Sequence, residues 1–480
     1  MPDVSPRRPT RPRDARSTAT RRLARAWAVL LGLSLFAYLA LAATRPDQMW
    51  WLGDLRVYQA GGAAALDGGR GLYDLAVGTA RLPFTYTPWA ALTFSPLALL
   101  PWGAAKPLAV AGNLALLFAA AHLAWGLAGL APVRARRRAA ALTAAVLLWT
   151  EPVQETLRFG QVNLLLVTLI LYDLSRPRGA RFVGAGIGFA AGVKLTPAIF
   201  AVYLLATGRW REARTALATF TLTVLAGAVI LPEASLRYWN GLFLDSGRMG
   251  PIELPGNQSL RGALVRLLGD TRPDAAVWVP VTLAVGAAGI LLASALYRAS
   301  AKIQDEATRR HGELAGVSVT ALTGLLVSPV SWSHHWVWIV PGSVLMASAA
   351  RGVRRNRLRL PAVLAAACAL PVATAAPPSL RVELPRPVPT GIIWHVPYKG
   401  GRELRLPALE QLVASAYVLV GLLMMIMCAV ILCRIGTHTW RSRVGGAEAG
   451  RVDVGHSRGK SPHVPAPRSQ SDRDESLPIS

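Results

Sequence analysis

Apolar residues in this 480-residue chain gather into blocks separated by short polar loops, and most blocks lack the alternation of a half-buried surface helix. They run near residues 24–43, 107–130, 139–157, 161–174, 179–193, 195–208, 214–232, 276–297, 314–330, 335–350, 360–376 and 411–433. This pattern predicts an all-α polytopic membrane protein of about twelve transmembrane helices. Several blocks are shorter than the roughly 20 residues that cross a hydrocarbon core of about 30 Å, so their ends are expected to be shielded by neighbouring helices. Residues 1–23 and 434–480 are rich in charge and in Pro, Gly and Ser; both are expected to be disordered tails around a membrane domain at 24–433. Long loops are expected at 44–106, 233–275 and 377–410.

Charge gives the domain an orientation. Only 16% of residues are charged and 52% are hydrophobic, yet the formal net charge is +26. A soluble chain of that charge would point to nucleic acid, but here the cations sit in short runs between apolar blocks, where the anionic cytoplasmic leaflet is the better partner. The runs are the N-terminal arginines through Arg25, Arg134 to Arg138, Arg176 to Arg181, Arg209 to Arg214, Arg298 to Arg310 and Arg351 to Arg359. All fall on one side if residues 89–103 (WAALTFSPLALLPWG) do not cross and are re-entrant or interfacial. The positive-inside rule then puts both termini in the cytoplasm and the long loops outside a multi-pass plasma-membrane protein. Cys368, Cys428 and Cys433 lie in apolar blocks without ligand spacing, so neither a disulfide framework nor a structural metal is expected.

Under this topology the unusual polar residues reach one face of the membrane. Asp54 follows the first block in GDLRVYQAG, with Tyr58 one turn later; it could approach both a lipid head group and an aqueous acceptor, or simply cap an interfacial helix. Tyr86 lies in FTYTPW. Gln161 and Asn163 in GQVN could meet sugar hydroxyls or satisfy helix-end backbone. Lys194 in GVKLTP stands in a long apolar run, where an unpaired cation marks function; two short helices meeting there would offer its ammonium to a phosphate. Asn257 and Gln258 in GNQSL form a polar cluster or an ordinary loop. In SPVSWSHHW, Trp332 fits an interfacial aromatic belt, while His334 and His335 could bind phosphate, or a metal if carboxylates stood at ligand spacing, which they do not.

The ordered set GDLRVYQAG, FTYTPW, GQVN, GVKLTP, GNQSL and SPVSWSHHW resembles glycosyltransferase family 87, a group of GT-C-fold enzymes that includes polyprenol-phosphate-mannose-dependent α-1,2-mannosyltransferases. The resemblance covers roughly residues 24–433. It implies a GT-C-type fold, a polyprenyl-phosphate sugar donor, an outer-face glycolipid or lipoglycan acceptor, and an Asp in the first outer loop as general base, by position Asp54. Many GT-C enzymes pair acidic residues in this loop, often with a divalent metal; here Leu55 and Arg56 follow Asp54, and no cofactor is expected. The inferred mechanism is one inverting displacement, with Lys194, His334 and His335 on the donor phosphate and Tyr58, Tyr86, Gln161, Asn163, Asn257, Gln258 and Trp332 around sugar or acceptor. Decaprenyl-phosphate arabinofuranose is an alternative donor. A secondary transporter is an alternative class, although such proteins show repeated halves and midplane polar residues.

Overall fold

A computed structural model describes residues 14–271, 275–353 and 391–433, with side chains described from residue 27 and not at 350–353. The predicted block at 360–376, Cys368, residues 1–13 and the tail from 434 lie outside the described residues. The chain through Val430 forms one unit, and of the second, Ile431–Ser480, only residues 431–433 are described.

Among the described residues the secondary structure is helical, apart from two isolated bridges. In chain order the helices are α1 (Asp14–Thr44), α2 (Pro46–Met49), α3 (Gly53–Leu66), α4 (Pro88–Ala98), α5 (Trp102–Leu127), α6 (Val133–Leu147), α7 (Glu151–Phe159), α8 (Asn163–Ser175) and α9 (Ala185–Val193). They continue as α10 (Ile199–Ala206), α11 (Trp210–Ile230), α12 (Pro232–Trp239), α13 (Leu260–Leu268), α14 (Ala275–Ala301), α15 (Glu306–Val327), α16 (Ile339–Val353), α17 (Ala408–Ala414) and α18 (Ala416–Cys433).

Helix lengths revise the expected span count. Among the described residues, five helices are long and apolar enough to cross a membrane: α1 from Trp27, α5, α11, α14 and α18. A sixth candidate is the pair α7 and α8, bent by 115° at a short break. Several other described blocks are cut short by their own sequence. Thr150 separates α6 from α7, Lys194 in extended conformation ends α9, and α15, although 22 residues long, starts with a charged turn from Glu306 to Glu313. Helix α1 begins at Asp14, inside the expected tail, because the Ala/Arg-rich sequence favours helix.

Residues 89–103 form no single helix long enough to cross a membrane. Thr87 caps α4 by accepting from the Ala90 N–H at 3.0 Å, Pro88 fills the first turn, and Leu99 to Pro101 turn the chain into α5. The 11 residues of α4 cover about 16 Å, half of a hydrocarbon core. Helix α4 instead packs on α3, where Gly62 lets the backbones meet: a Cβ there would lie 2.5 Å from the Phe94 carbonyl oxygen.

A second close contact fixes the position of Lys194. Gly184, Gly188 and Gly192 recur every four residues along α9 and face α11, where added Cβ atoms would fall 2.2 Å from the Glu212 oxygen, 2.2 Å from the Ala216 oxygen and 2.3 Å from Thr223 Oγ1. Small residues at this spacing let helices approach to backbone contact. The Thr87 hydroxyl donates to the Gly192 carbonyl, which ties the segment carrying Tyr86 to the last turn of α9. Gly192→Val is therefore expected to cost about 1–3 kcal/mol by overpacking. It should appear as a lower thermal midpoint of the detergent-solubilised protein; an unchanged midpoint would contradict this packing.

Candidate active site

Asp54 owes its place to two backbone devices. Leu52, fully buried just before α3, has a left-handed φ of 51°, which costs an L residue roughly 1–2 kcal/mol. Its N–H donates to the Arg158 carbonyl at 2.7 Å, which pins the first turn of α3 to the end of α7. Gly160 then ends α7 at φ 69°, and a Cβ there would sit 2.8 Å from Leu55 Cβ. Glycine thus permits both the reversal into α8 and the approach of α3. The elbow so formed presents Gln161 and Asn163.

Gln161 is the hub of the first half of the site. Its Nε2 donates to Asp54 Oδ2 at 2.7 Å, and its Oε1 lies 2.9 Å from the Tyr58 hydroxyl and 3.2 Å from the Tyr86 hydroxyl, which are 2.8 Å from each other. The two phenol protons serve two of these three contacts at a time. Asp54 and Tyr58 come from one face of α3, at i and i+4. Burial pushes the Asp54 carboxyl up to about 6, against the opposing pull of the Gln161 amide and of the Lys194 charge.

Asn163 and Lys194 form the second half. Lys194 Nζ donates to Asn163 Oδ1 at 3.0 Å and lies 3.0 Å from His335 Nε2. An ammonium has no acceptor, so His335 accepts at Nε2 and carries its proton on Nδ1. The ammonium also stands 5.6 Å from the centre of the Tyr86 ring, which joins the two halves. Asn163 Nδ2 and Thr156 Oγ1 donate to the His334 carbonyl at 3.0 and 3.1 Å, so this histidine enters the network through its backbone. Its ring packs edge-on against Phe159, and its buried Nε2 has no partner among the described residues.

Asn257 and Gln258 do not join this network. Both are fully buried. Asn257 donates to the Ile252 carbonyl and accepts from the Ser331 N–H, while Gln258 donates to the Pro255 and Ala414 carbonyls and accepts from the Tyr417 N–H. Their amides are consumed by backbone, which corrects the expectation that they orient sugar hydroxyls. What they hold is the segment bearing the histidines, since Asn257 and Trp332 form a bridge and Gln258 N–H donates to the Ser331 carbonyl at 2.7 Å. Trp332 is half-buried over Gly256 and Gly250 rather than beside Asp54's partners.

Beside the cation, a narrow groove of about 50 Å³ opens between α8, α10, α15 and the turn Ser333–Trp338. Asn163, Lys194, Ser331 and His335 stand among its polar lining, and Leu166, Ile170, Phe200 and Trp338 are among its apolar walls. A carboxylate near its working pKa, a fixed cation and an apolar groove thus share one end of the bundle.

Comparison with known proteins decides the family. The family model described as glycosyltransferase family 87 matches residues 84–329. A polyprenol-phosphate-mannose-dependent α-(1-2)-phosphatidylinositol pentamannoside mannosyltransferase of Mycolicibacterium smegmatis is 38% identical over 327 residues, 67% of this chain and 76% of the relative. This chain belongs to glycosyltransferase family 87. The pentamannoside mannosyltransferase of Mycobacterium tuberculosis is 38% identical over 321 residues, covering 66% of this chain and 71% of its own. A phosphatidylinositol mannoside mannosyltransferase of M. smegmatis is 36% identical over 365 residues, covering 73% and 81%. No solved structure matches the chain.

In this family 87 glycosyltransferase one polar residue behind the site escaped the sequence reading. Glu151 is fully buried, and its carboxylate accepts from Trp394 Nε1 at 3.0 Å, from the Tyr417 hydroxyl at 2.9 Å and from Ser333. It therefore braces the turn that carries both histidines. Glu151 and Glu155 inside the apolar block 139–157 were the available signal, because acids in such a block need partners. The Asp54 environment is directly testable. Labelling of Asp54 by dicyclohexylcarbodiimide, which attacks protonated buried carboxyls, is expected to rise as pH falls through about 6. In Gln161→Leu the half-point should move higher, because the amide no longer favours the carboxylate; a wild-type half-point near the ordinary value of about 4 would contradict the burial argument.

Proposed function

We propose that the chain transfers mannose from a polyprenyl-phosphate donor to a glycolipid acceptor on the extracytoplasmic face, with inversion, giving an α-1,2 linkage. The observation that carries this reading is the pairing of Asp54, through Gln161 and Tyr86, with the Lys194 and His335 pair at the mouth of the apolar groove. The similar enzymes named for polyprenol-phosphate-mannose and phosphatidylinositol mannosides support the same donor and acceptor classes. The Arg-rich loops support cytoplasmic termini and an extracytoplasmic site in the plasma membrane. A GT-C-type bundle fits that reading, with short helices completing spans that single helices do not.

In this mechanism the groove takes the first isoprene units, and the donor phosphate meets the Lys194 ammonium, with His335 beside it. Asp54 accepts the proton of an acceptor hydroxyl as its oxygen bonds to the anomeric carbon. The bond from that carbon to the phosphate oxygen breaks, and the electron pair leaves with polyprenyl phosphate. That leaving group needs no proton, because its second pKa is near 6, but its growing charge needs a cation, which Lys194 supplies. Tyr58, Tyr86 and Gln161 keep the carboxylate oriented. In this reading the cationic work falls to side chains, and no metal step is invoked.

Asp54→Asn is expected to lower kcat by about 10²–10⁴-fold, the usual worth of a general base. Lys194→Met should lower transfer by about 10²–10³-fold, as does the loss of one charge-stabilising donor elsewhere. Both are measured as mannose transfer from polyprenyl-phosphate mannose by proteoliposomes. Wild-type rates in Asp54→Asn protein would remove Asp54 from the chemistry. Wild-type membranes that accept only the arabinofuranose donor would keep the mechanism and change the sugar.

A further inference from the structure

A second cation stands away from the network. Between α12 and α13, Ser246, Gly250, Ile252, Glu253, Arg261 and Thr271 line an open cleft of about 460 Å³. Arg261, in the first turn of α13, is half-buried there, and its Nη1 donates to Ser246 Oγ at 2.7 Å. Its guanidinium lies 5.0 Å from the centre of the Trp278 ring. Glu253 shares the cleft but makes no ion pair with it, and Arg261 Nε is sealed from solvent without a partner among the described residues. Arg266, one turn further along α13, is fully buried instead; its Nη1 and Nη2 donate to the Leu254 and Asn257 carbonyls and to the Ser415 hydroxyl, and its Nε also has no partner among the described residues.

The wall beside Arg261 points to the class of ligand. Trp278 belongs to the first turn of α14, whose apolar window is only 6% buried, and Val277, Val281 and Leu283 stand exposed on that helix. A tryptophan at the end of an apolar span marks the head-group level. A guanidinium that lines an open cleft at this level suits a phosphodiester, and acyl chains attached to that phosphate would find the bare face of α14. The cleft is also coupled to the reacting end of the bundle. A Cβ on Gly250 would lie 3.1 Å from the Trp332 ring, and the Ser333 N–H donates to the Gly256 carbonyl at 2.8 Å, two residues before His335.

We propose that this cleft is the acceptor's anchoring site, in which Arg261 holds the phosphodiester of an anionic membrane lipid while the lipid's glycan extends to Asp54. The inference rests on the glycosyl-transfer reading. Arg261 touches no reacting atom and so sets acceptor affinity rather than the chemical step.

The test uses the full-length protein in proteoliposomes with two acceptors that share a terminal mannose: a phosphatidylinositol mannoside and a neutral alkyl α-mannoside. Arg261→Gln is expected to raise KM for the phosphate-bearing acceptor about tenfold or more. Its kcat, its KM for the donor and its behaviour with the neutral acceptor should stay at wild-type values. Arg261→Lys should fall between, because it keeps the charge and loses the planar fork. Equal losses with both acceptors, or no change with either, would overturn the assignment. Wild-type protein that transfers to neither acceptor overturns the glycosyl-transfer reading itself, and this proposal with it.

Discussion

A carboxylate and an ammonium can share the end of an apolar helical bundle only if the polar groups around them are committed in advance, since an unpaired buried charge costs far more than a hydrogen bond returns. That constraint organises this protein. Asp54 has Gln161, Gln161 has two tyrosines, and Lys194 has Asn163 and His335. Gln161 and Asn163 are two residues apart at a sharp elbow, so one backbone reversal serves both charges. Gly160 makes that reversal at no steric cost, and the left-handed Leu52 packed against it is where the strain lies.

The same commitment shapes the chemistry. A fixed network does not reorganise as charge moves from an acceptor oxygen to a phosphate, and this is the main advantage that a preorganised site has over water. Burial lifts the Asp54 carboxyl towards the range that the proposed general base needs, while the Gln161 amide and the Lys194 charge keep it from rising further. The groove beside Lys194 is apolar where a prenyl chain would lie and polar at its mouth. Behind it, Glu151 and the amides of Asn257 and Gln258 hold the histidine turn without facing the groove themselves.

Much of this was legible along the chain, for identifiable reasons. Lys194 announced itself because a cation inside an apolar run has no cheap structural explanation, and Asp54, Tyr58, Tyr86, Gln161 and Asn163 followed once positive-inside logic brought their segments to one face. Asn257 and Gln258 were misread because an amide looks the same in sequence whether it meets a ligand or a buried carbonyl. Fewer single helices than blocks are long enough to span, because blocks such as 179–193 and 195–208 are apolar enough for membrane but broken by Lys194 and Pro197. The four-residue glycine repeat on α9 was visible and went unread, as did Glu151 inside its apolar block.

The central claim is a single displacement with Asp54 as base, and the anomeric configuration of the product tests it most directly. Transfer from a β-linked polyprenyl-phosphate mannose, followed by nuclear magnetic resonance of the isolated product, is expected to give an α-mannoside alone. A β-mannoside would require a second displacement through a covalent intermediate, and it would contradict the role assigned to Asp54.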